Sequence, residues 1–147
     1  MHIAYDLHNN MKQVLALAPV TLGTTGANTG RIVDRKGYAG VEFIIDYGAI
    51  TTTGTNNVPI LKEGDVTSSL TSVADSDLLG TEALAGIAAS ATARVSGTTK
   101  LVSKRLGYKG TKRYLQLTLG HTGTTSVGIV SASAVLFNPE NAPVSNP

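Results

Sequence analysis

Hydrophobic and polar residues alternate with a period of two along much of the chain, the spacing of strands that turn one face to a core. The clearest run lies within residues 104–119, where Leu115, Leu117 and Leu119 alternate with Tyr114, Gln116 and Thr118. A glycine-bounded turn, Gly107-Tyr108-Lys109-Gly110, stands ahead of it. An echo occurs earlier, where Arg35-Lys36-Gly37-Tyr38-Ala39-Gly40 leads into Val41, Phe43, Ile45 and Tyr47, alternating with Glu42, Ile44 and Asp46. The shared pattern Arg-x-Gly-Tyr-x-Gly predicts two equivalent turn-and-strand units. Because Ile44 is apolar as well, the earlier strand is expected to be central and covered on both faces over part of its length.

The remaining elements follow from the same pattern. Ile32-Val33 begins a strand, and residues 51–57 form a Thr/Gly/Asn loop. Residues 58–63 resume as a strand that Pro59 confines to an edge or to its first residues. Residues 70–79 suggest one short strand and a loop, and the Ala-rich residues 82–93 a short helix, weakened by Gly86. A strand is predicted over 98–106, a hairpin loop at residues 121–125, and a last, longest strand over 127–137. Prolines 139, 143 and 147 keep the C-terminal tail out of any sheet.

This succession predicts an all-β fold, an antiparallel β-sandwich or barrel-like domain spanning 31–138, with a Pro-rich C-terminal tail at 139–147. Residues 1–30 are expected to form an N-terminal arm and linker: Leu7, Met11, Val14 and Leu15 fall at helical spacing, and residues 21–30 are rich in Gly and Thr. The alternative makes Val14 to Leu17 the first edge strand.

Composition narrows the chemistry. With 147 residues, 41% of them hydrophobic but only 5% aromatic and no Trp, the core must be built from Val, Ile, Leu and Ala. Charged residues make up 15%, below the roughly 25% usual in soluble proteins, so the surface is suited to meeting other proteins. No Cys is present, which excludes a disulfide framework and a thiolate nucleophile. No apolar run reaches the roughly 18 to 20 residues of a membrane helix, and the N-terminus is a poor match to a signal peptide. The net charge of +2 does not by itself demand a nucleic-acid partner.

Catalytic constellations are not expected. His2, His8 and His121 stand apart from any Gly-x-Ser-x-Gly elbow, and Glu63/Asp65 and Asp75/Asp77 read as solvated loop acids rather than cation ligands. No phosphate-binding loop or dinucleotide fingerprint occurs, and no cofactor is expected. Lys100, Lys104, Arg105, Lys109, Lys112 and Arg113, with Tyr108 and Tyr114 among them, form the densest charge feature. They could neutralise a nucleic-acid strand, but strand alternation splits them between two faces. A docking patch for an acidic protein surface or a solvated turn are the other readings. Tyr38 and Tyr108 are expected to pack over the ends of the sandwich.

Residues 6–19, Gly37-Tyr38 and the run Gly107-Tyr108-Lys109-Gly110-Thr111-Lys112-Arg113-Tyr114-Leu115 resemble a group of small virion proteins of tailed bacteriophages. The resemblance implies a structural virion component, most like a capsid decoration (cement) protein, made in the host cytoplasm and carried on the capsid surface. Its implied partners are the major capsid protein and further copies of itself, with no membrane or nucleic acid. A head-tail connector or tail component is the first alternative, and a nucleic-acid-binding module the second. The expected shell contacts are Leu7, Met11, Val14, Leu15 and Leu17 on the arm, then Lys104, Lys109, Lys112 and Arg113 as an electrostatic contact. Burying each Leu or Met would contribute roughly 1.5 to 3 kcal/mol.

Overall fold

The structure is a computed structural model describing residues 6–22, 26–51, 56–88, 93–122 and 128–145. Among these residues nine strands form two antiparallel sheets. They are β1 (Met11–Thr21), β2 (Gly26–Asp34), β3 (Tyr38–Tyr47), β4 (Asn56–Val66), β5 (Ser69–Ser72), β6 (Leu78–Leu79), β7 (Val102–Tyr108), β8 (Tyr114–Thr122) and β9 (Ile129–Pro139). A single helical turn, α1 (Glu82–Ala85), is capped by Thr81, whose hydroxyl accepts the Leu84 N–H at 3.1 Å.

The sheet orders are β1-β9-β3-β7-β6 and β2-β8-β4-β5. The pairings are nested, β1 with β9, β2 with β8, β3 with β7 and β4 with β5, all antiparallel. A long hairpin rolled so that its halves face each other produces this nesting, the topology of a jelly roll. The short β6 is added at the far edge of β7.

Alternation fills the space between the sheets. β3 contributes Val41, Phe43, Ile45 and Tyr47, β7 Leu106 and Tyr108, and β9 Val130, Ala132, Ala134 and Leu136; Leu61, Leu115, Leu117 and Leu119 face them from the second sheet, all buried. Ala134 pairs with Phe43 and Ala132 with Ile45, so small residues on β9 leave room for large ones on β3.

Pro59 follows the rule for proline in a sheet. On the same side of β4, Asn57 and Ile87 exchange backbone hydrogen bonds and the Glu82 carboxylate accepts the Leu61 N–H at 2.8 Å. Pro59, which has no N–H to offer, falls between them, where β5 does not reach.

Four expectations are corrected. Residues 1–30 are not an arm and linker from Met11 onward, because β1 is an edge strand zipped to β9 and β2 runs across the expected boundary at 30. The apolar residues of β1 can be buried only against β9 and β2, which lie far away in sequence. Gly107 and Tyr108 belong to β7 rather than to a turn, so the Arg35 and Arg105 units are not equivalent: the first is a turn, the second a strand. The strand expected over 98–106 begins at Val102, after a short helical turn at Gly97–Thr99. Residues 121–125 do not close a hairpin, since β8 and β9 lie in different sheets; residues 123–125 lie outside the described residues.

At the other terminus, the Glu140 N–H donates to the Gly37 carbonyl and the Val144 N–H to the Asn9 carbonyl.

Candidate functional site

The strand β1 distributes the expected shell contacts over different environments. Met11, Gln13 and Leu15 pair with Phe137, Val135 and Ser133 on β9, and a bulge between Leu15 and Leu17 then shifts the register. Leu15 therefore points outward and is 39% exposed, whereas Leu17, at 4%, is sealed in the core. Val14 is half-buried against the core, Met11 is half-buried, and Leu7 is exposed ahead of the strand. Leu17 is thus a core residue that holds β1 in place, and a partner cannot reach it in the folded chain.

The outward side chains of β1, β9, β3 and β7 make one continuous face. Leu15, Ser133, Ile44 and Arg105 form one row across four strands, and Met11, Phe137 and Gly40 another. The Phe137 ring lies over Gly40, in the space a side chain there would occupy. Ile129 and Leu79 add exposed apolar surface, and Ser103, Ser131 and Ser133 supply small polar patches. Charge is sparse on this face. Burial pushes the Glu42 carboxyl above its ordinary range, opposed by Arg105 at 3.9 Å. The face therefore combines exposed apolar residues with small serines and few charges.

The basic residues do not gather. Lys104 stands on β7 five residues before Lys109, about 17 Å along a strand, and its side chain is on the core-facing side, opposite Ile45. Lys112 and Arg113, in the loop between β7 and β8, are ion-paired. Lys112 Nζ donates to Asp65 Oδ2 at 2.6 Å, and Arg113 donates through Nε and Nη2 to both oxygens of Asp34 at 2.9 and 2.7 Å, with its guanidinium 4.8 Å from the Tyr114 ring centre. The Arg113 hydrogen bonds hold Asp34 below the usual carboxylate range, and Lys112 does the same to Asp65. Their charge is spent within the molecule, which leaves Lys109 exposed in the loop.

Arg35 and Tyr108 tie this end of the sandwich together. Arg35 donates to the carbonyls of Lys112, Gly110, Tyr38 and Ala39 and lies 5.5 Å from the Tyr108 ring centre. The Tyr108 hydroxyl donates to Glu63 and accepts the Lys112 N–H at 3.0 Å. Burial, and then the Glu63 carboxylate, push the Tyr108 hydroxyl well above its ordinary range. These contacts lock a loop; they do not form a reactive group. Among the described residues no three His, Cys, Asp or Glu side chains cluster as metal ligands, and no helix is long and apolar enough to cross a membrane. His2 lies outside the described residues, as does the side chain of His121.

Sequence reasoning missed two features. The outward face of the five-stranded sheet was legible as the other half of each alternation, but which strands lie side by side was not. The segment 82–88, which closes the open side between β4 and β7, carried no signal beyond its alanines.

No family model matches the chain, and no curated protein does. Among solved structures, the PBSX exported protein XepA aligns with a TM-score of 0.52 at 16% identity, over 90% of this chain and 39% of that one. A protein of the disulfide-linked pili of Bacillus endospore appendages aligns at 0.42 and 13% identity, over 93% and 98%. The CBM22-1 xylan-binding domain of Paenibacillus barcinonensis Xyn10C aligns at 0.41 and 11%, over 86% and 85%. The chain spans well under half the length of XepA, and at this identity what the two share is the β-sandwich fold.

Proposed function

We propose that this chain is a structural virion protein, a decoration protein that lays the outward face of its five-stranded sheet on a capsid shell. The observation that carries the reading is that face itself: Met11, Leu15, Phe137 and Ile129 with Ile44 and Val135, an apolar surface on a paired sheet. A sheet face offers many small contacts with its side chains already ordered by the pleat, so little entropy is lost on binding. Repetition over a shell multiplies a modest affinity. The sequence resemblance supports the same class, and the fold shared with XepA is compatible with it.

The test is binding to capsids that lack the protein, with Leu15→Asp and Phe137→Ser compared against Ile32→Asp, an exposed change on the other sheet. Binding by the wild type and by Ile32→Asp, lost in the first two variants while they remain folded, is the expected result. Absence of wild-type binding, or labelling confined to a single vertex of intact particles, would replace decoration by the connector or tail reading.

A further inference from the structure

We infer that the free edge of β7 is a docking site for an extended, acidic segment of another protein, which adds to the sheet as a strand beside Ser103 and Arg105. The inference does not depend on the shell-binding reading: it concerns the backbone edge of β7, which borders the outward face at Ile44, Ser103 and Arg105.

The hydrogen-bonding phase of the sheet fixes which groups are available. The Gly48 N–H donates to the Ile129 carbonyl at 2.7 Å, so even-numbered β3 residues bond β9 and odd-numbered ones bond β7. Their partners on β7 are Val102, Lys104, Leu106 and Tyr108. Odd-numbered β7 residues point the other way, as the Lys109 N–H shows by donating to the Asp77 carbonyl at 2.9 Å. Gly107 is met by Leu79 of β6. The chain then turns off at Gly80, whose φ of 88° is the left-handed conformation glycine favours, and β6 ends before it reaches Arg105 and Ser103. Each of these residues is left with one backbone N–H and one C=O directed away from β3, the arrangement to which a further strand adds.

The surroundings suit such a strand. A groove of about 440 Å³ runs along this edge, lined by Ile44, Leu84, Ser103, Lys104 and Arg105. Leu84 on α1 is 72% exposed beside it, and Leu101 is 70% exposed at its end, giving apolar contacts for alternate side chains of a guest. Lys104 and Arg105 line the groove, and Arg94 lines the adjoining one with Lys104. The acids on the neighbouring strand are Glu42, 3.9 Å from Arg105, and Asp46, which is paired with Ser103; Lys104, Arg105 and Arg94 outnumber them by one. The excess is positive, which selects an acidic guest. A second copy is disfavoured: its Asp75–Asp77 segment is a helical turn whose Asp77 carbonyl already accepts the Lys109 N–H, not an extended strand, and the chain carries net charge +2.

The experiment titrates the full chain with a fluorescein-labelled heptapeptide of alternating Glu and Val, and with a Lys and Val counterpart. Saturable binding of the acidic peptide that weakens with salt is expected, with slowed amide exchange at Ser103 and Arg105 but not at Val102 and Lys104. Lys104→Glu should weaken it roughly tenfold. Ser103→Pro removes an N–H that bonds no other described residue, so it should abolish binding at nearly unchanged melting temperature. Failure to bind, equal binding of the Lys peptide, unchanged exchange at the two amides, or a peptide-free dimer that already protects them would each overturn the inference. If Ser103→Pro does not fold, the wild-type exchange measurement decides.

Discussion

Truncating Leu17 and Leu15 to alanine in parallel separates a docked edge strand from a free arm. Each change removes three carbon groups, worth about 0.8 kcal/mol apiece in transfer from water, or about 2.4 kcal/mol when burial is complete. Leu17 is 4% exposed between Ala132 and the core, so its loss leaves a cavity, and the total should reach about 3 to 4 kcal/mol. Leu15 is 39% exposed on an open face; water fills the space, no cavity forms, and the cost should be about 1 kcal/mol. For a chain of this length, 1 kcal/mol moves the melting temperature by about 3 °C. Calorimetry should therefore show Leu17→Ala melting about 10 °C below wild type and Leu15→Ala about 3 °C below. Urea titration should give a lower midpoint at unchanged slope for both. Equal losses, or a Leu17→Ala variant as stable as wild type, would refute the docking of β1 and restore the arm.

Deleting residues 1–20 should unfold the body rather than release an intact one, because β9 would lose one of its two partners and the core its cover on that side; circular dichroism of the truncated chain checks this. Acid should weaken the Asp34–Arg113 pair. The folded pKa of Asp34 lies below its unfolded value, so its contribution is present above the unfolded value and disappears as pH falls through the folded one, in a window below the ordinary carboxylate range. In Arg113→Ala an NMR titration should find Asp34 returned toward that range, with less acid-side loss of stability. At the alkaline end, burial raises both Tyr47 and Tyr108 above the ordinary value of 10.0, so the stability they contribute is full below that pH and declines as pH rises through their folded values. Ultraviolet titration should show these two phenols ionising only above the ordinary tyrosine value of 10.0. Gly30→Ala should be severely destabilising in thermal melts, since a Cβ there would collide with the backbone carbonyl oxygens of Ala16 and Leu117, neither of which can swing aside.

The local pattern of the chain determined the strands and their faces. Val41, Phe43, Ile45 and Tyr47, and likewise Leu115, Leu117 and Leu119, turn inward because a period of two leaves a pleated strand no other way to bury them. Pro59 on a stretch of β4 that β5 does not cover and an all-β class with little helix follow from equally local constraints. Partnership between strands did not follow, because pairings such as Met11 with Phe137 join residues more than a hundred positions apart, and no local property encodes which edge meets which. That is why β1 was legible as an arm, why Leu17 was expected at a surface it cannot reach, and why Lys104 was grouped with Lys112 and Arg113. Gly107-Tyr108 has the composition of a turn, yet pairing with Val41 and Glu42 on one side and with β6 on the other holds it extended. Local sequence sets what each strand offers on its two faces; only the closing of the two sheets decides which face is core, which edge is covered and which is left open.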